Sequence, residues 1–227
     1  MSTCNISLED LGRPNPCANN MSGVNAIFLT LKKDVAKINA TAQSVINTLA
    51  DRVTIGSATM NAKAIESKAG KGFVSIFSAK DMGELKYATQ GTISGCKSQK
   101  ATLEIFHPGM KKQLLGFIAT VMNEEMIVVV RLNNDEYHLL GNEHHGVEIA
   151  DGTEVTSGKA VTDNNGSTIT FNFDTPVPQV FYDGWDPYNE TTGLTFIEKN
   201  GQDNNQGGQE NGGNGSTPGS GSGDLEG

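Results

Sequence analysis

The chain has 227 residues, three cysteines and a formal net charge of -9; the stretch from Gly201 onward supplies -4 of it and contains no Lys or Arg. A mildly acidic body argues against a protein built to grip nucleic acid, which needs clustered cations against the phosphates, yet it suits a wall past which nucleic acid slides. No run of 18 apolar residues occurs, so no membrane-spanning helix is expected. The start, MSTCNISLEDLGRPNP, has neither the basic end nor the apolar core of a secretory signal. Cys4, Cys17 and Cys96 are odd in number and far apart, which fits a reducing place of synthesis rather than a disulfide framework.

Residues 1–23 are rich in Asn, Pro, Ser and Gly, and Arg13-Pro14-Asn15-Pro16 forbids a regular helix, so an extended arm is expected. Residues 24–31 (VNAIFLTL) read as a strand. The stretch 39–72 is rich in Ala, Thr and Ser. Val45, Leu49 and Val53 recur at four-residue spacing, as in a short helix, while Val53-Thr54-Ile55 reads equally as a strand; low apolar content predicts a long, exposed connection, closed by Gly70 and Gly72.

From there the strand pattern strengthens. Residues 73–77 (FVSIF), 85–93 (LKYATQGTI) and 101–106 (ATLEIF) are expected strands, the second with Leu85, Tyr87, Thr89, Gly91 and Ile93 on one face. One helix is expected over 110–123, because Leu114, Phe117, Ile118, Val121 and Met122 form a single apolar stripe. Residues 126–132 (MIVVVRL) and 136–140 form a hairpin around Asn133-Asn134-Asp135. A second hairpin is expected between 154–161 and 167–173, turning at Asp163-Asn164-Asn165-Gly166, with Ile169, Phe171 and Phe173 buried and Thr168, Thr170 and Asn172 wet. From Gly201 the chain holds 10 of the 27 glycines and Leu225 as its only sizeable apolar residue, which cannot offset the entropy of ordering; a disordered tail over 201–227 is expected. The fold class is therefore α+β, mainly β: a single domain over 24–200, a β-sandwich or small barrel with one flanking amphipathic helix.

Motifs for chemistry are sparse. His144 and His145 are adjacent, so on a strand they point to opposite faces and make a poor metal pair; His107 and His138 stand alone. Gly70-Lys71-Gly72 lacks the first glycine of a phosphate loop, since Ile65 holds that place, and Gly72 stands where Ser or Thr is required. Asp163-Asn164-Asn165-Gly166 lacks the later acidic ligand of a calcium loop. Asp81 with Glu84, and Glu124 with Glu125, read as solvated charge. Trp185 and Tyr188 in Asp183-Gly184-Trp185-Asp186-Pro187-Tyr188 either cover a sheet edge or form a carbohydrate-stacking or partner-docking loop, the former being favoured. No catalytic, metal or cofactor residues are assigned, and an enzyme is not expected.

The order of elements from Phe73 to Tyr182 resembles the major tail tube proteins of long-tailed bacteriophages. The likeness lies in Leu85-Lys86-Tyr87-Ala88-Thr89-Gln90-Gly91, in the strand-helix-strand run from Leu103 through Val130, in Tyr137-His138-Leu139-Leu140-Gly141, and in the closing run from Gly158 to Phe171 with Gly166 at its centre and Thr168-Ile169-Thr170-Phe171 after it. The resemblance covers about half the chain. It implies a β-sandwich with a flanking helix whose copies close into hexameric rings, stacked as a hollow tail tube in the virion after synthesis in the bacterial host cytoplasm. It further implies tape-measure, tail-terminator and distal tail proteins as partners, with DNA passing through the lumen. A phage decoration or connector protein, and a carbohydrate- or ligand-binding β-sandwich module, are the alternatives.

Overall fold

The centre of the molecule is the pairing of β1 (Val24–Leu31) with β8 (Met126–Leu132), antiparallel, with Ile27 opposite Val130 and Leu29 opposite Val128. Both are nearly continuous apolar runs, and the structure, a computed structural model, explains why. Successive side chains leave a strand on opposite faces, and here both faces are covered: Ile27, Leu29, Met126, Val128 and Val130 enter one core, Phe28, Ile127 and Val129 the other. The structure describes residues 21–41, 46–56, 60–160 and 162–197. Most of the expected N-terminal arm, Val45 and the expected tail lie outside them.

β8 turns at Asn133–Asp135 into β9 (Tyr137–Leu140), as the sequence predicts, with Asp135 at φ 70°. The sheet is completed by β3 (Thr54–Ile55) and β13 (Val180–Phe181) on one side and β5 (Val74–Ile76) on the other, giving the order β3-β13-β9-β8-β1-β5. All neighbours are antiparallel except β3 and β13.

A second sheet lies across the first core. Its long strands are β7 (Ser98–Pro108) and β12 (Gly166–Thr175), paired from Pro108 opposite Gly166 to Gln99 opposite Thr175. β6 (Glu84–Gln90) flanks β7, while β10 (Glu148–Ile149) and β11 (Glu154–Thr156) both pair with β12. Leu103, Ile105, Ile169, Phe171 and Phe173 fill the space between the sheets. The helix α1 (Lys112–Val121) closes this core with Leu114 and Val121 buried and Phe117 and Ile118 half-buried. Met122, at the end of the expected stripe, caps the helix through its N–H bond to the Ile118 carbonyl (2.9 Å) and is 56 % exposed. Both sheets are open among the described residues, so the architecture is the sandwich and not the barrel.

The connection over 39–72 is long and partly exposed, but it is no free extension. It contributes β4 (Ile65–Ser67), which pairs with β2 (Val35–Ile38), and it buries Ala40, Ile55, Ala64 and Ile65 in the second core. Each large apolar side chain buried this way stabilises by about 1.5–3 kcal/mol, enough to fasten a segment of low apolar content at a few points. Backbone hydrogen bonds from Asn39 to Ala64 (2.8 Å) and from Ala64 to Thr192 (3.0 Å) tie it to the chain on either side. Of the two readings of Val53-Thr54-Ile55, the strand is the one observed; Ala50–Arg52 make a single 3-10 turn before it.

The expected hairpin is present as β11 paired with β12, but its first strand is shorter and its turn is not at Asn165-Gly166. β11 stops at Thr156, opposite Gly166, so the connection spans 157–165 and is organised by the Asp163 carboxylate, which accepts from the backbone N–H groups of Lys159 (2.9 Å) and Ala160 (2.8 Å). Asn165 instead pins the exit of β7: its carbonyl accepts from Gly109 N–H (2.7 Å) and its side chain from Met110 N–H (2.9 Å). Gly166 begins β12 where the strands touch; a Cβ there would stand 2.3 Å from the His107 carbonyl oxygen and 2.8 Å from Phe106 Cζ. Gly166→Ala is expected to destabilise by about 1–3 kcal/mol through overpacking, seen as a lower urea midpoint at unchanged slope. An unchanged midpoint would mean that the two strands separate there without cost.

Candidate functional site

Alternation in β6, β7 and β12 sends one set of side chains into the core and the other outward, and the outward set is mostly polar. Rows of paired residues run across the strands: Glu84, Glu104, Thr170; Lys86, Thr102, Asn172, Glu148; and Ala88, Lys100, Asp174. With Glu154 opposite Thr168, this face carries five carboxylates against two lysines on its strands. Glu84 and Glu104 are directly opposed, an arrangement that repels, and Lys86 relieves it: its Nζ lies 2.7 Å from Glu84, and that carboxylate first, then Glu104, raises the lysine pKa. Thr102 donates to Asn172 (3.3 Å) and Gln90 to Asp174 (2.7 Å), so the polar groups are knitted along the sheet.

The outer edge of β6 is the long unpaired edge of this sheet. Seven residues pair with β7 on one side and with no strand on the other among the described residues. The turn after it, 91–97, is exposed throughout and carries Ile93, 67 % exposed, and Cys96. The expected strand thus ends three residues early: Gly91 takes φ 101° and turns the chain, and Ile93 leaves the apolar face assigned to it.

β6 is fastened to the first sheet by a polar contact. Tyr87 Oη lies 3.0 Å from His138 Nδ1, and His138 Nε2 is 3.7 Å from a Glu136 carboxylate oxygen. Burial pushes the Tyr87 phenol well above its ordinary pKa, so it stays protonated and donates to His138. Burial lowers the His138 pKa, opposed by Glu136, so the ring is neutral at pH 7 with its proton on Nε2. A phenol held protonated is the reverse of an activated nucleophile, and the group reads as a bond between sheets. Nothing local in the sequence signals it, since its partners are 51 residues apart.

The other singled-out residues are scattered. Trp185 is buried, stacked on Phe181 at 3.8 Å and edge-on to Tyr137 at 5.2 Å, and its Nε1 donates to the Thr192 carbonyl (3.2 Å). It is part of the second core and offers no stacking platform. Tyr188 is exposed, but packs against Phe196 and Phe28. Gly70-Lys71-Gly72 is a turn crossing the chain closely, where a Cβ on Gly72 would meet the Thr195 carbonyl oxygen at 2.6 Å. Glu124 and Glu125 are paired, with Lys33 and with Lys32 at 2.6 Å; Lys32 first, then Gly146 N–H, lowers the Glu125 pKa. Asp81 and Glu84 both line a shallow hollow with Ser22, Leu85 and Asn134, and Glu84 is ion-paired with Lys86. His144 and His145 sit in a loop whose N–H groups donate to the Asn142 side chain. A hollow of about 570 Å³ beside it, lined by Lys100, Glu125, His145, Glu148 and Asp174, mixes charges of both signs. Among the described residues no group of three His, Cys, Asp or Glu side chains has metal-binding geometry, and no helix is long and apolar enough to cross a membrane. Neither a protein-family model, nor a curated protein, nor a solved structure matches the chain.

Proposed function

We propose that the chain is a structural subunit that associates with copies of itself into rings, six to a ring, stacked as the tail tube of a bacteriophage. The observation that carries this reading is the open edge of β6 beside the polar, carboxylate-rich outer face of its sheet. An unpaired edge of seven residues is a template for a further strand and is costly to leave exposed. In a ring each copy supplies an edge to the next, and the ring closes without a loose end. The outer face then lines a channel with hydrated side chains and net negative charge, which repels DNA phosphates instead of binding them. The resemblance of the run from Phe73 to Tyr182 to tail tube proteins supports the same reading, and so does the sandwich with one flanking helix. Tape-measure protein and later DNA would occupy the lumen, with terminator and distal tail proteins at the tube ends, in the virion. Burial of Trp185 removes the main support for a carbohydrate-binding module.

Negative-stain electron microscopy of the purified chain over a concentration series, beside light scattering, tests the proposal. Hollow rings or tubes of uniform width are the expected result. A chain that is monomeric at every concentration, crowded or not, would overturn it.

A further inference from the structure

The two ends of β7 carry an apolar hole and an apolar knob. At the far end, where the chain passes from His107 into α1, a hollow of about 190 Å³ lies between β5 and the helix. It is lined by Val74, Ile76, Leu114 and Phe117, with His107, Ser75 and Gln113 beside them. Val74 is 40 % exposed there although it lies in a strand. At the near end the turn 91–97 leads into β7 and presents Ile93 to solvent, with the polar Thr92 and Ser94 on either side. The knob is held in place. Cys96 N–H donates to the Ile93 carbonyl (3.1 Å), and the third residue of that turn has φ 88°, which suits the glycine found there, Gly95. A turn fixed before contact loses little freedom on docking.

Ile93 cannot reach the hollow of its own copy. Ser98 and His107 lie about 30 Å apart along one strand, and the turn is anchored at both ends by Gln90 opposite Ser98. A knob and a hole at opposite ends of one body meet only between copies, head to tail. Each added copy then leaves a knob and a hole free for the next. The proposed ring gives that series a direction. Where copies join around a ring through the edge of β6, the strands of this sheet run along the channel, apart from a tilt, so their ends face the rings above and below. Charge does not drive the contact, since Lys97 on the turn and Lys111 and Lys112 at the start of the helix have the same sign. Apolar burial does. One such contact is smaller than a stable pair needs, but all copies of a ring make it at once.

We propose that Ile93 of one copy seats in the hollow between β5 and α1 of a second copy in the next ring, and that this contact stacks the rings. The inference rests on the tail-tube reading and names a contact separate from the β6 edge. Full-length chains carrying Cys96→Ser test it, with Ile93→Cys, with Val74→Cys, and with both changes. Each is brought to the concentration at which the wild type forms particles, treated with a mild oxidant and digested, and the linked peptides are identified by mass spectrometry, which tells Cys4 and Cys17 apart from the introduced thiols. The chain with both changes is expected to give a ladder of covalent multimers joined between positions 74 and 93. An equal mixture of the two single variants should stop at one-to-one pairs, and neither alone should link at these positions. Ile93→Asp alters an exposed turn, so it should melt like wild type; it should still form rings but raise the concentration needed for tubes at least tenfold. Particles without the 74-to-93 link, links between two copies of position 93 instead, tubes unaffected by Ile93→Asp, or a wild-type chain that never associates each overturns the proposal. Tubes that lack the link would overturn it while leaving the tail-tube reading intact; a linked ladder in solid filaments, with no hollow rings or tubes, would keep the head-to-tail contact and overturn that reading.

Discussion

Trp185→Ala should lower stability by about 3–5 kcal/mol, the cost of removing a large aromatic from a packed core. The side chain is 3 % exposed, sandwiched between Phe181 and the edge of Tyr137. Its loss also strips the Thr192 carbonyl of its Nε1 donor, and Thr192 is the residue that holds Ala64 of the long connection. The damage therefore reaches past one cavity: the 183–194 loop and the 39–72 connection lean on each other through that carbonyl, and both cover the same face of the six-stranded sheet. Trp185→Phe keeps the stacking on Phe181 and should recover more than half of the loss. Circular dichroism in a urea series reads both. A loss under 1 kcal/mol for the alanine variant would mean that this face is covered by other means, and quenching of the single tryptophan by glycans would restore the binding-module reading that its burial disfavours.

The central strands were legible because burial on both faces leaves a plain mark, an apolar run without alternation, as in MIVVV. β12 was legible for the opposite reason. One face is wet, so Thr168, Thr170 and Asn172 alternate with Ile169, Phe171 and Phe173. The misreadings have physical causes of the same kind. Asn165-Gly166 has the composition of a tight turn, yet its role is set by β7, far away in the chain, to which Gly166 is fitted by close approach. Among the described residues the connection over 39–72 buries Ala40, Ile55, Ala64 and Ile65, too few and too unevenly spaced for a periodicity to betray them. The open edge of β6 was not legible at all, since strand order is a property of pairing between distant segments; neither was the contact of Tyr87 with His138.

That contact carries the second large effect, a loss of stability in acid. His138 faces Tyr87 from the opposite sheet, has Val130 and Val180 beside it on β8 and β13, and has Glu136 two residues before it as the nearby anion. Burial is the larger influence and Glu136 the smaller, so the folded-state pKa lies below the ordinary 6.5. The unfolded chain therefore takes up a proton that the fold refuses. Stability from this site is complete above about pH 6.5 and is lost as the pH falls through the folded-state pKa, at up to about 1.4 kcal/mol per pH unit. Protonation also removes the Nδ1 acceptor, leaving the Tyr87 hydroxyl without its partner and loosening β6 at the edge proposed to join subunits. Tyr87→Phe alone should cost about 1–3 kcal/mol at pH 7.5 by stranding a buried acceptor, whereas Tyr87→Phe with His138→Leu removes both partners and should cost less than the sum of the single changes. Urea midpoints at pH 7.5 and 5 for wild type and the double variant isolate the effect from His107, whose pKa burial also lowers. The wild type should lose more stability than the double variant over that interval; parallel losses would place the acid sensitivity elsewhere and reduce the contact to an ordinary hydrogen bond.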